Sequence, residues 1–216
     1  MNDLPREVTA ADIAQLRREI TKAAWRLGYE LDAVVPLDEV SAASGIGPDR
    51  VRELFDGAEP QQPPRTKKER EAYYRQLVGQ RLDFLRSRNG DSYRTIGNAV
   101  DLTHTLIGDL VNGDRSARPE YSHPLEDHYG VDPGFLSKPE GRALADHLAK
   151  VRDGLLAGAL LEGIQALGGE AVALRDTGTE PPSLSALLEV VDGLVARTRI
   201  QQRRGAAAPE DADRGE

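Results

Sequence analysis

The residues best suited to chemistry lie in the stretch YRTIGNAVDLTHTLIGDLVN, from Tyr93 to Asn112. Read as two short helices around a tight turn, it turns Ile96, Val100, Leu102, Ile107 and Leu110 inward. Thr103, His104, Thr105, Gly108, Asp109 and Asn112 are left on the outward face of the second helix. Hydroxyls, an imidazole, a carboxylate and an amide on one exposed helix are suited to hydrogen-bonding base edges in the major groove of DNA. Asp109 would favour cytosine N4 and repel phosphate, so it tunes specificity more than affinity. His104 has two readings, a base or phosphate contact and an ordinary solvent-facing histidine. Tyr93, Arg94, Arg115 and Arg118 flank the stretch and suit phosphate oxygens. Other chemistry finds little support. The chain has no cysteine, and the spacing of His123 and His128 puts them off a common helical face, so neither they nor His147 suggest a metal site. No G-x-S-x-G, H-E-x-x-H or phosphate-cradling glycine loop occurs. The expectation is a protein that is not an enzyme, with no metal and no cofactor.

Elements must hold that face in place. A helix from about Glu69 to Arg86 carries Tyr74, Leu77, Val78, Leu82 and Leu85 on one side, Asn89-Gly90 breaks it, and Ser92 caps the next helix. Gly97 is the small residue that lets the two short helices approach. Asp101 stands at the turn between them. Upstream, Thr9-x-x-Asp12 opens a helix with the apolar stripe Ile13, Leu16, Ile20, Ala24 and Leu27. Val40, Ser41, Gly45, Ile46, Val51 and Leu54 then repeat the register of Ile96, Gly97, Asp101, Leu102, Ile107 and Leu110, a second helix-turn-helix pattern. Asp49, Glu53 and Asp56 would present carboxylates to phosphate there, so packing or partner contact is as good a reading of this copy as DNA contact. The segment AEPQQPPRTKK is a Pro-rich basic linker, either an arm along phosphates or a solvated hinge. Downstream, residues 139–167 form an amphipathic helix with Leu144, Leu148, Val151, Leu155, Ile164 and Leu167 on one side. Ser183 caps a last helix striped by Leu184, Leu187, Leu188, Val191, Leu194 and Val195, which suggests dimerisation.

These residues resemble known families. The helix-turn-helix, the "LVNGDR" after it and "HYGVDPGFL" at 128–136 resemble the lambda-repressor/Cro-like (XRE) regulators, with Asp101 where that family usually has Gly. The resemblance spans about residues 69–137 and implies a DNA-reading domain. "ITKAAWRLGYE" followed by "VSAASGIGPDRVRELF" is similar, weakly, to the DNA-binding end of TetR-type regulators, without their usual aromatic pair. An XRE-like domain followed by "FLSKPE", a long helix, "PPS" and a Leu/Val helix ending in Arg resembles the layout of EspR-like nucleoid-associated regulators.

Composition bounds the rest. Few aromatics and many Ala, Leu, Arg, Asp and Gly predict an all-α fold. The expected layout is an N-terminal helical module with a degenerate helix-turn-helix (1–57), a linker (58–68), the XRE-like helix-turn-helix domain (69–137), a helical dimerisation region (138–204) and a disordered acidic tail (205–216). The net charge of −8 argues against nucleic acid, but its distribution does not. Residues 1–60 hold 7 Lys/Arg against 12 Asp/Glu and residues 121–216 hold 10 against 16, whereas 61–120 hold 11 against 8. No apolar run suits a membrane span and no secretory pattern opens the chain, so the expected location is the cytoplasm, at the nucleoid. Two function classes follow. One is a dimeric transcription regulator on double-stranded DNA, with no small-molecule effector inferred. The other is a protein-interaction adaptor, antitoxin-like or anti-regulator, using helix-turn-helix folds to pack.

Overall fold

The computed structural model describes residues 7–166 and 183–206, and among them the backbone forms helices and no strand. The chain is all-α. Helix α1 (Ala10–Arg26) starts on a reciprocal cap in which Asp12 N–H donates to Thr9 Oγ1 at 3.3 Å and Thr9 N–H donates to Asp12 Oδ2 at 2.9 Å. After the single turn α2 (Leu31–Val34) come α3 (Leu37–Ser44) and α4 (Pro48–Phe55), joined at Gly45 with φ +67°. Ile13, Ile20, Val35, Val40, Ile46, Val51 and Leu54 close on one another as a first core.

A second core lies between α5 (Lys67–Asn89), α6 (Tyr93–Val100), α7 (His104–Val111), α8 (Pro119–Tyr129) and a 3₁₀ turn at Phe135–Ser137. Val78, Leu82 and Leu85 meet Ile96, Ile107, Leu110, Leu125, Phe135 and Leu136 there. The 3₁₀ turn is held by a carboxylate inside the protein. Glu126 is 2% exposed and accepts from Gly134 N–H at 2.9 Å and Leu136 N–H at 3.0 Å, satisfying donors that no helix ladder reaches.

Helix α9 (Glu140–Ala166) starts beside this turn and runs back along α1, contributing Leu144 and Leu148 to the first core. Its early turns therefore complete the N-terminal module, although the sequence grouped 138–204 as one dimerisation region. Helix α10 (Leu184–Ala206) packs on α9 with Leu188 and Val191 buried. A Cβ at Gly163 would lie 2.5 Å from Val191 Cγ1, so the glycine lets the two helices touch. An ion pair between Arg26 and Asp192 joins α1 to α10, and one between Arg152 and Glu19 at 3.1 Å joins α9 to α1. Leu167 and residues 207–216 of the tail expected at 205–216 lie outside the described residues, whereas residues 205–206 form the end of α10 rather than tail.

The Pro-rich linker is pinned to the protein. Pro60 is buried, Gln61 N–H donates to Glu140 Oε2 at 2.8 Å, and Gln62 Nε2 donates to Val8 O at 2.6 Å. Glu140 also receives both Nε (2.9 Å) and Nη2 (3.0 Å) of Arg50, a paired fork that fixes α4 to the start of α9. Lys67 and Lys68 belong to the first turn of α5, behind the cap Thr66.

Removing the Glu126 carboxylate would leave one buried and one half-buried backbone donor unsatisfied. Glu126→Ala is expected to lower unfolding free energy by about 2–4 kcal/mol, measured by urea denaturation. A loss under about 0.5 kcal/mol, the range of a surface change, would show that the segment is held by other contacts.

Candidate nucleic-acid interface

The face of α7 is set by three local devices. Helix α6 starts on Ser92, whose hydroxyl accepts from Thr95 N–H at 3.1 Å. It ends at Asp101, which has φ +55° and ψ +41° and is the one described non-glycine residue with positive φ. The short polar side chain of Asp tolerates that left-handed backbone better than most non-glycine residues do. Helix α7 then starts on Thr103, whose hydroxyl accepts from Leu106 N–H at 3.2 Å.

Two glycines bring backbones within reach of each other. A Cβ at Gly97 would lie 2.5 Å from Leu102 O, so this glycine makes room for the turn itself. A Cβ at Gly79 would lie 2.4 Å from Val111 O and 3.0 Å from Leu110 O, so the end of α7 rests directly on the middle of α5. Sequence reasoning missed Gly79. Its signal was a glycine inside a helix next to the apolar stripe, a position that costs roughly 1 kcal/mol unless close packing requires it.

The expected base-facing residues divide by environment. His104 and Thr105 are exposed in the first turn, and Asn112 is exposed at the C-terminal cap. Thr103 is exposed too, but its oxygen is engaged as the cap, which leaves its O–H as donor. Gly108 and Asp109 are half-buried. A Cβ at Gly108 would stand 3.8 Å from the Tyr93 ring, so this position is a contact between α6 and α7 more than an open base-facing one.

The expected phosphate-facing residues divide as well. Arg94 and Arg115 are exposed and have no ion-pair partner among the described residues. The N–H groups of Asp114 and Arg115 donate back to Asp109 O at 2.9 and 3.2 Å, folding the chain so that Arg115 sits beside the last turn of α7. Arg118 stands before α8 with Glu120 at 3.5 Å. Tyr93 is half-buried, with the Arg86 guanidinium 5.2 Å from its ring centre. Arg86 also pairs with Asp83 at 2.7 Å, and that hydrogen bond raises its pKa. The Arg86–Tyr93 stack was invisible in the sequence because its partners sit on different helices.

The N-terminal copy of the motif is placed differently. The ring of Phe135 covers its turn, lying 2.7 Å from where a Gly45 Cβ would be. Arg50 of α4 is engaged with Glu140, Glu53 and the Glu59 carbonyl. Asp49, Glu53 and Asp56 are exposed.

Chemically, the α7 face offers hydrogen-bonding groups, with the exposed cations Arg94 and Arg115 at its flanks and the carboxylates Asp101, Asp109 and Asp114 beside them. Among the described residues, no group of three or more His, Asp or Glu is arranged to hold a metal ion, and no helix is long and apolar enough to cross a membrane. No protein-family model, curated protein or solved structure matches this chain.

Proposed function

We propose that this chain is a transcription regulator of the lambda-repressor/Cro-like (XRE) kind, reading the major groove of double-stranded DNA as a homodimer in the cytoplasm, at the nucleoid. One observation carries the reading. His104 and Thr105 stand exposed in the first turn of a helix that two glycine contacts hold rigidly, with the unpaired cations Arg94 and Arg115 on the same helix-turn-helix unit. In such a unit the N-terminal residues of the second helix meet base edges while flanking cations hold phosphates. Asp101, Asp109 and Asp114 lie in the same unit, so non-specific affinity is low and specificity depends on the base contacts.

The adaptor reading is favoured by a different observation. The α3–α4 turn is packed against Phe135, and the exposed carboxylates of α4 pair within the helix, Asp49 with Arg52 and Glu53 with Arg50 at 2.8 Å each, which leaves a near-neutral face suited to a protein partner and unsuited to phosphate. Both readings can hold in one molecule, with α7 on DNA and α4 on a protein.

Dimerisation is proposed on the apolar surface that remains outside the α9–α10 contact. On α9 Leu161 is 57% exposed, and on α10 Val190 is 46% exposed with Leu187 half-buried one helical turn before it. Leu188 and Val191, central to the expected dimer stripe, are instead covered by the chain's own α9. The end of α1 adds Trp25, 82% exposed, and Tyr29, 54% exposed. Apolar area of this kind is worth about 25 cal/mol per Å² when covered by a second copy.

Two experiments test these proposals. Arg94→Ala and Arg115→Ala should each weaken binding to every duplex alike and reduce the slope of log K against log salt by roughly one unit. Unchanged slopes, measured by fluorescence anisotropy, would remove both residues from the interface. Leu161→Asp with Val190→Asp should give a folded monomer by light scattering and circular dichroism. Its affinity for a two-half-site duplex should fall roughly 100-fold. A parent protein that is monomeric while bound tightly to DNA would overturn the dimer.

A further inference from the structure

We propose that the cleft between the Pro-rich linker and the first turns of α5 is a docking site for an acidic protein segment that carries one apolar anchor residue. The cleft measures about 590 Å³, and most of its surface is apolar, from Val8, Pro63, Pro64, Tyr74 and Pro139. It is held open by contacts within the chain. Gln61 and Gln62 pin the linker to Glu140 and to the Val8 carbonyl, and the Tyr73 ring stands edge-on to Tyr74 at 5.3 Å. A preformed apolar cleft of this size takes a side chain at little ordering cost.

Cations surround the apolar walls. Arg65, Arg70 and Arg142 line the cleft against one carboxylate, the exposed Glu7. Arg65 and Arg70 have no ion-pair partner among the described residues. Arg142 has Asp146 at 2.9 Å, but Asp146 also answers Lys138 at 2.9 Å, so one carboxylate serves two cations. Arg70 is half-buried, a charge partly withdrawn from water, which a carboxylate of the partner would compensate. Arg70 and Tyr74 also line an adjoining cavity of about 580 Å³ that reaches the start of α8. It adds Lys67, paired with Glu71 at 3.9 Å, and Arg75, which has no ion-pair partner among the described residues. Residues 61–75 hold 5 Lys/Arg against 2 Asp/Glu in a chain whose net charge is −8, so the positive charge is local to this groove.

The combination selects the occupant. A DNA duplex offers phosphates to the arginines but no apolar side chain to enter the cleft. A neutral apolar peptide would fill the cleft and leave the arginines without partners. An extended segment with carboxylates on both sides of one aromatic residue answers both, its carboxylates meeting the guanidinium forks while the ring lies on the prolines and Tyr74. The site stands on α5, the linker and the start of α9, and it does not rest on the DNA-binding reading of α7.

The test uses the full chain and the fluorescence anisotropy of a labelled peptide, Asp-Glu-Asp-Glu-Phe-Glu-Asp-Glu-Asp. The expected result is saturable binding with a Kd below roughly 100 µM at low ionic strength, weakening as salt is added. Peptides with Gly in place of Phe, or with Lys in place of every acidic residue, should each bind at least about tenfold more weakly. Arg70→Glu and Tyr74→Ala, each checked for folding by circular dichroism, should each lose at least about tenfold in affinity for the parent peptide and leave binding to a labelled DNA duplex unchanged. If one variant does not fold, the other decides. The proposal is overturned if the parent peptide does not bind saturably, if the Gly peptide binds as well, or if a folded variant keeps the parent's affinity. It is also overturned if the variants weaken duplex binding as much as peptide binding, which would make the groove a phosphate surface. Failure of the protein to bind any duplex would count against α7 and leave the peptide measurements to decide this site.

Discussion

Residues 134–136 are gripped from two sides by buried charged side chains, and the two cores meet at that segment. Glu126 accepts the N–H groups of Gly134 and Leu136, while Arg81 donates to the Phe135 carbonyl between them. Phe135 and Leu136 are thereby fixed in the second core, and the ring of Phe135 reaches the turn of the N-terminal motif at Gly45. The Glu126 carboxylate is met by two backbone N–H groups, whereas Arg81 is met by one backbone carbonyl and leaves Nε and Nη2 without a hydrogen-bond partner among the described residues. From this segment the chain passes directly into α9, whose Glu140 fixes α4 and the linker and whose Leu144 and Leu148 close the first core.

The α7 face inherits its position from that frame. Helix α5 is both the holder of Arg81 and, through Gly79, the bed on which the end of α7 lies. Steric exclusion at Gly79 and Gly97 acts over tenths of an ångström, so it sets helix positions more sharply than apolar packing does. On the proposed reading, this lets a unit whose carboxylates outnumber its cations discriminate between sequences, because His104 and Thr105 are presented without a large ordering cost on binding.

Local patterns were legible in the sequence. Spacing identified the inward residues Ile96, Ile107 and Leu110, the caps Thr9 and Ser92, and the turn at Asp101, because each depends on neighbours within four or five positions. Long-range pairing was not. That Arg50 meets Glu140, 90 residues away, or that Gly45 meets Phe135, cannot be read from periodicity. The linker composition suggested an arm along phosphates or a solvated hinge, yet Pro60 is buried and its neighbours are bonded, since prolines lower the cost of ordering a strap as readily as they stiffen an arm. The stripe on α10 was visible as apolar, but which part faces α9 and which faces outward depended on Gly163 and on the direction of α9.

The central claim is that the first turn of α7 reads bases. The most direct measurement is selection of bound duplexes from a randomised pool, comparing the parent with a His104→Ala, Thr105→Ala double variant at matched salt. The expected result is an enriched motif for the parent and a loss of about 1–3 kcal/mol of discrimination per missing base contact in the variant, with non-specific affinity nearly unchanged. An identical ranking of sequences by the two proteins, or no enrichment by the parent, would contradict it.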